Sequence, residues 1–81
     1  MEYKLDIKDL KTDKYITSMF YNSLAIDVKS IMNLVRDNPD MPEHFYGVLR
    51  LDDVAVALLD QYGNVTSIKR LNRRKLEVFL G

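Results

Sequence analysis

The chain contains no cysteine, one histidine, three glycines and two prolines among its 81 residues. Without cysteine it forms no disulfide, holds no thiolate-bound zinc or iron–sulfur cluster, and has no thiol nucleophile. A single histidine excludes an HExxH pair and every multi-histidine metal centre. The few glycines do not form the phosphate-binding loop of a nucleotide-binding protein. These absences predict a protein that uses neither a metal nor a cofactor.

Positive and negative charges are equal in number, with 12 Lys and Arg residues against 12 Asp and Glu residues. This balance argues against a bulk binder of nucleic acid such as a histone-like protein. Hydrophobic residues make up 47% of the chain and charged residues 30%, which is typical of globular proteins. We therefore predict one small domain over residues 1–81. Its stability should be marginal, because a chain this short buries only about 60% of its unfolded surface.

The longest uncharged stretch runs from Tyr15 to Ile26 and contains several polar residues. It falls short of the roughly 20 apolar residues that span a bilayer. Residues 1–6 alternate between charged and apolar side chains, unlike the apolar core of a signal peptide. We expect no membrane association and a cytoplasmic location.

The N-terminal residues have the pattern of a half-buried strand. Over residues 2–8, Tyr3, Leu5 and Ile7 alternate with charged side chains, so they predict one buried and one exposed face. The polar residues 9–13 predict a connection.

Two interpretations fit residues 14–22. Apolar residues recur every three or four positions, which predicts one long helix over 14–37 with the stripe Ile16, Phe20, Leu24, Val28, Ile31 and Val35. Residues 15–21 are also rich in β-branched and aromatic side chains, so they alternatively predict a second strand paired with the first. In that case the helix begins after Asn22 or Ser23. We favour the helix for residues 14–22, and both interpretations make 24–36 helical.

Pro39 ends this helix, because proline disfavours helical geometry in the residue before it. Asp40, Pro42 and Glu43 resemble the start of another helix, with an N-cap, a first-turn proline and a capping-box partner. They predict a short helix over residues 41–50.

The C-terminal third predicts a hairpin followed by a short helix. Residues 54–59 are apolar and predict a buried strand, and residues 60–63 suit a type I turn. The chain then returns as a strand over 64–69. Asn72 is the predicted N-cap of a helix over 73–80; a strand over residues 75–80 is the alternative.

Together these elements predict a small α+β domain. About three mostly antiparallel strands carry a long central helix and one or two short helices, all packed on one face. The helical stripe would lie across Tyr3, Leu5, Ile7, Val56, Leu58 and Ile68. A sheet this small leaves its edges open, so we expect pairing into a homodimer or another homo-oligomer.

No residue pattern predicts catalysis. His44 stands beside Glu43, and no serine lies in a nucleophile-elbow sequence such as GxSxG. Asp52 and Asp53 are interpreted as a polar turn rather than a cation site, because nothing in their spacing brings further oxygens to them. We therefore predict that the protein is not an enzyme, with no catalytic and no metal-binding residues.

The residues that we expect to contact a partner are aromatic or basic. Phe45, Tyr46 and Tyr62 lie near predicted turns and are the candidate exposed aromatics. Arg70, Arg73, Arg74 and Lys75, with Lys69, place five positive charges within seven residues. We predict a non-enzymatic module that binds a protein partner, such as an accessory factor, a regulator or a stoichiometric inhibitor of a larger protein.

Nucleic acid is the alternative partner, bound as a regulator through the basic cluster Lys69–Lys75. In that case, raising salt weakens binding steeply, and Arg73→Glu with Arg74→Glu removes most of the affinity. A filter-binding titration at low and moderate salt measures this. Binding that does not change with salt would rule the alternative out.

Overall fold

The computed structural model describes residues 2–21 and 27–70, together with Arg74 and Phe79. These residues form a five-stranded antiparallel sheet and one α-helix. The elements are β1 (Tyr3–Asp9), β2 (Tyr15–Tyr21), α1 (Val28–Arg36), β3 (Phe45–Leu51), β4 (Val54–Asp60) and β5 (Val65–Ser67), and a 3-10 turn covers Ile68–Arg70.

The strands lie in the order β2-β1-β3-β4-β5, and every neighbouring pair is antiparallel. Three of these pairs, β1–β2, β3–β4 and β4–β5, are hairpins of consecutive strands. The fourth pair, β1–β3, joins strands that are distant in sequence. Since β2 and β3 are both antiparallel to β1, they run parallel to each other, and α1 makes the crossover between them. This topology places β2 at one edge of the sheet and β5 at the other.

The hydrophobic core lies between one face of the sheet and α1. Leu5 and Ile7 of β1, Leu59 of β4 and Met32 of α1 are almost completely buried, and Phe45 of β3 joins them. Burying a side chain of this size contributes about 1.5–3 kcal/mol. This cluster therefore holds α1 against the middle of the sheet.

The helix begins at a side-chain cap. The Asp27 carboxylate accepts a hydrogen bond from the Ser30 backbone N–H at 3.2 Å and another from the Ser30 hydroxyl at 2.7 Å. The same hydrogen bonds lower the pKa of Asp27, because they favour its ionised form. Arg36 in the last turn complements the negative end of the helix dipole. The helix is thus specified at both ends by local residues.

The predicted first strand and the C-terminal hairpin are confirmed. Residues 3–9 form β1 with Tyr3, Leu5 and Ile7 buried, although Asp6 on the predicted exposed face is buried as well. The predicted strand over 54–59 is β4, and the return strand is β5. The turn between them has Asp60 accepting the Gly63 N–H at 3.0 Å, as the sequence predicts.

The helix predicted for residues 14–22 is wrong, and the alternative strand is correct. Ile16 and Phe20 are four residues apart, but Ile16 packs against the core whereas Phe20 is 63% exposed on the other face. The pairing with β1 decides the conformation, because β-branched and aromatic side chains fit a pleated sheet. The long helix over 14–37 is correspondingly reduced to the nine residues of α1. Leu24 lies outside the described residues.

The helix predicted for residues 41–50 is also wrong. Residues 45–51 form β3, which pairs with β1 on one side and with β4 on the other. Two ladders of backbone hydrogen bonds outweigh the local capping pattern at Asp40–Glu43. Gly47 suits the crowded centre of this strand, since a Cβ there would lie 3.0 Å from the Leu5 Cδ1.

The predicted fold class is corrected accordingly. In place of about three strands, a long central helix and further short helices, the described residues form a five-stranded sheet with one short helix. For the predicted helix over 73–80, Arg74 and Phe79 are helical, and the other residues lie outside the described part. Of the other predicted contacts of the long helix, Val56, Leu58 and Ile68 are only partly buried.

Gly63→Ala should lower the free energy of unfolding by at least about 1–2 kcal/mol, the usual cost of a left-handed residue that is not glycine. Gly63 has a φ of 86°, and a Cβ there would lie 2.7 Å from the Lys29 Cα of α1. Urea denaturation measures the effect, with Gln61→Ala in the same loop as the control. Equal unfolding midpoints for the two variants would contradict this account of the turn.

Candidate protein-binding surface

The two edges of the sheet differ in length and in how well they are protected against pairing with another strand. β2 presents seven consecutive uncharged residues, Tyr15 to Tyr21, without a proline. β5, at the opposite edge, has three residues and leads into a 3-10 turn. Natural sheets commonly protect an edge by shortening it, by placing lysine or proline on it, or by a β-bulge. β5 is short, whereas β2 is seven residues long and uncharged, and its pairing with β1 is irregular only near its start.

An apolar groove follows β2 on the face that carries α1. Its volume is about 280 Å³, and none of the described residues that line it is charged. Leu34 of α1 projects beside it and is 73% exposed. Burial raises the pKa of the half-buried Tyr21, whose hydroxyl lies 3.4 Å from the Met19 sulfur. The lining residues are Thr17, Met19, Tyr21, Ile31, Leu34, Val35, Asn38 and Met41.

The other face of β2 combines exposed aromatic rings with charged neighbours, since Phe20 lines a cavity of about 270 Å³ together with Glu2, Lys4, Asp52 and Asp53. Phe20 and Tyr15 are exposed there, and the Lys4 ammonium lies 5.9 Å from the centre of the Phe20 ring. Because large apolar side chains are exposed on both faces of one edge strand, this edge has the character of a binding surface rather than of a solvated edge.

A buried carboxylate ties β2 to the interior strands. Asp6 of β1 accepts hydrogen bonds from the Ser18 hydroxyl of β2 and, at 2.9 Å, from the Arg50 Nε of β3. The Lys4 ammonium lies 3.6 Å from the same carboxylate, and Tyr15 donates to Ser18 at 2.7 Å. Burial by itself raises the pKa of Asp6, but these hydrogen bonds and the charges of Lys4 and Arg50 outweigh it and lower the pKa. This network fixes the position of β2 relative to the sheet.

A second polar contact holds the loop between β1 and β2. The Tyr46 hydroxyl of β3 donates a hydrogen bond to the carboxylate of Asp13. The backbone of Asp13 has a φ of 61°. Burial of Tyr46 raises its pKa, and the hydrogen bond and negative charge of Asp13 raise it further. Asp9 accepts the backbone N–H of Lys11 at 2.8 Å in the same loop. The hairpin that carries β2 is therefore anchored at its turn as well as along its length.

The three aromatic residues predicted to contact a partner differ in their exposure to solvent. Phe45 is 3% exposed and Tyr46 is 8% exposed, so the expectation that they lie at the surface is wrong. Both belong to the interior strand β3, where pairing on both sides removes them from solvent. Tyr62 is exposed as expected, and its ring lies 5.1 Å from the Arg36 guanidinium. Phe45 and Tyr62 meet at a cavity of about 360 Å³ that is also lined by Leu10, Lys11, His44, Asp60, Gln61 and Phe79.

The structure describes only part of the predicted basic cluster. Lys69 and Arg74 are exposed. Arg73 and Lys75 lie outside the described residues, as does the side chain of Arg70. The role of this cluster in binding stays a prediction.

His44 and the Asp52–Asp53 pair, which the sequence analysis considered for catalysis and cation binding, lie at the surface and in a turn. His44 is exposed, and its Nε2 lies 4.0 Å from the neighbouring Glu43 carboxylate. Asp52 and Asp53 form the two-residue turn of the β3–β4 hairpin, with φ values of 48° and 67° typical of a type I′ turn. In the described part of the chain, no three His, Asp or Glu side chains group to hold a metal ion. The interpretation of Asp52 and Asp53 as a polar turn is confirmed.

Sequence reasoning missed the β2 surface, although one sign of it was visible. The uncharged stretch that begins at Tyr15 is visible in the sequence, but its helical spacing favours a helix over the alternative strand. No family model, curated protein or solved structure matches the chain. Among the residues that the structure describes, no helix has the length and hydrophobicity to cross a bilayer.

Asp6→Asn should lower the free energy of unfolding by about 1–3 kcal/mol at neutral pH, because it removes charge-assisted hydrogen bonds. The pKa of Asp6 is lowered below its ordinary value of 3.8 by folding. Its contribution is therefore complete above about pH 4 and is lost as the pH falls through the lowered pKa. Urea unfolding between pH 2 and 7 should show the variant and the native chain converging in acid. Asp40→Asn at an exposed position is the control, and a difference that persists at low pH would contradict the assignment.

Proposed function

We propose that this chain is a non-enzymatic protein-binding module that receives an extended segment of a protein partner along β2. The observation that carries the proposal is the seven-residue uncharged edge strand with an apolar groove beside it. The partner segment would join the sheet as a further strand, a recurring mode of peptide recognition.

The chemistry of the edge determines which segments fit. Backbone hydrogen bonds along β2 supply affinity for any extended chain, whereas side chains at alternate positions supply specificity. One face of the added strand would meet the apolar groove near Leu34, and the other would meet Phe20. Since β2 and the described residues that line the groove are uncharged, the side chains of the segment that face the groove are apolar and uncharged as well.

Capturing a segment in this way withdraws it from other contacts. A module of this kind would act as an accessory factor, a regulator or a stoichiometric inhibitor by occluding its partner's segment. We place it in the cytoplasm. Binding of nucleic acid by the basic cluster remains an alternative prediction, and no described contact favours it.

Thr17→Lys should weaken partner binding at least about tenfold, because a lysine on an edge strand opposes pairing with another strand. Thr17 is exposed and lines the groove. Val65→Lys is the matched control, since it places the same charge on the exposed side chain of the opposite, three-residue edge.

Affinity capture from nuclease-treated lysate of the source organism, with quantitative mass spectrometry, measures the effect. We expect the native chain and Val65→Lys to retain the same stoichiometric protein and Thr17→Lys to lose it. The β2 amides should also exchange hydrogen more slowly in the complex. A partner retained equally by all three chains would overturn the assignment of β2.

A further inference from the structure

We propose that the strand added to β2 is the β2 strand of a second copy of this chain, so that two sheets join into one continuous ten-stranded sheet. This inference rests on the proposed function, because it assigns an occupant to the same edge. Three properties of this edge favour a second copy: the symmetry of strand pairing, the charge of the edge and the area that it exposes.

Symmetry determines how two copies meet. Two antiparallel strands related by a two-fold axis have that axis perpendicular to the sheet, so both α1 helices lie on the same face. Directly opposed residues in such a pair point to the same face. The axis must therefore pass beside a residue that opposes itself, rather than between two residues. Both apolar grooves then open toward the junction.

The regular part of β2 selects the residue at the axis. The pairing of β1 with β2 shifts register between Ile7 and Lys8, opposite the start of β2, and is regular from Thr17 to Tyr21. The middle of this regular stretch is Met19. An axis at Met19 places Thr17 of one copy opposite Tyr21 of the other, and Ser18 of one copy opposite Phe20 of the other.

The charge distribution permits a copy to pair with itself. Like charges that face each other across a strand pair are destabilising. A two-fold axis repeats every charge of an edge on the opposite strand, so a charged edge is repelled by its own copy. β2 and the groove contain no charged residue, and the whole chain has 12 positive and 12 negative side chains. The Lys4 ammonium beside Phe20 lies 3.6 Å from the Asp6 carboxylate, so this nearby charge is paired within its own chain. Neither the charge of the strand nor the net charge therefore opposes the association.

The exposed area is sufficient for a modest dimer. Phe20 is 63% and Leu34 is 73% exposed. Burying both in two copies removes on the order of 500 Å² from water. The backbone edges and the groove of each copy add to this area, but the interface remains in the class below about 1,200 Å² that is typical of weak or transient complexes. We therefore expect a weak dimer that forms in a concentration-dependent way.

Analytical ultracentrifugation of the purified chain, from about 1 to 500 µM, tests the proposal. We expect a monomer–dimer equilibrium for the native chain and for Val65→Lys, and a dissociation constant at least about tenfold higher for Thr17→Lys. Circular dichroism confirms that each variant is folded. A native chain that stays monomeric throughout this range, or a Thr17→Lys variant that dimerises equally well, would overturn the inference.

Cysteine cross-linking provides a second measurement that does not depend on Thr17→Lys. The chain has no cysteine of its own, so single-cysteine variants report one position each. Met19→Cys should form a covalent dimer on mild oxidation at least about tenfold faster than Val65→Cys, because only the first opposes itself at the axis. Equal rates for the two variants would contradict the proposed pairing.

These outcomes separate the inference from the proposed function. If the native chain is monomeric while Thr17→Lys alone loses a captured partner, β2 binds a different protein, and only the self-pairing is excluded. If Thr17→Lys changes neither dimerisation nor capture, both proposals fail together.

Discussion

The pairing of β1 on both of its sides is the constraint on which the rest of this structure depends. β1 bonds to β2 along one side and to β3 along the other for nearly its whole length. Leu5 and Ile7 on one face of β1 form the floor of the core, onto which α1 packs through Met32. The strand therefore determines the strand order, the crossover by α1 and the face on which the helix lies.

The same constraint gives the exposed edge its rigidity. Because β1 is interior, its hairpin partner β2 must lie at the edge unless another strand covers it. The carboxylate of Asp6 links Ser18 of that edge to Arg50 of β3, across β1. In the described part of the chain, every buried side-chain nitrogen and oxygen has a hydrogen-bond partner. An edge held in this way loses little conformational entropy when another strand pairs with it, which favours binding.

Elements specified within their own segment could be predicted from the sequence, and elements specified by pairing with another segment could not. The alternation of Tyr3, Leu5 and Ile7 predicts β1, and the Asp60–Gly63 turn predicts the β4–β5 hairpin. The helical spacing of Ile16 and Phe20 favours a helix where β2 forms, although the β-branched and aromatic residues there also predict a strand paired with β1. The resemblance of Asp40–Glu43 to a capping box predicts a helix where β3 forms. Only pairing with β1 and β4 makes these segments strands, and the partner strand is not encoded within the segment itself.

The candidate site, too, could be predicted from the sequence only in part. The lack of charge over residues 15–21 is visible in the sequence, but it indicates a binding surface only when those residues occupy a sheet edge. The sequence predicts Phe45 and Tyr46 at the surface because they lie near predicted turns. Their burial follows from the central place of β3, which depends on contacts with two other strands. Distant pairing thus determines both which strand is exposed and which aromatic side chains are hidden.

The crossover between β2 and β3 also sets the order in which the chain can fold during its synthesis. The β1–β2 hairpin leaves the ribosome before residues 45–51 emerge from it, since α1 and its connections come between them. At usual elongation rates this interval lasts about 1–5 s. During it the hairpin has two open edges, one on each strand, and its apolar face has no helix to cover it. The nascent hairpin must therefore pass through a stage at which it can pair with other nascent chains, and the arrival of β3 removes one of its two open edges.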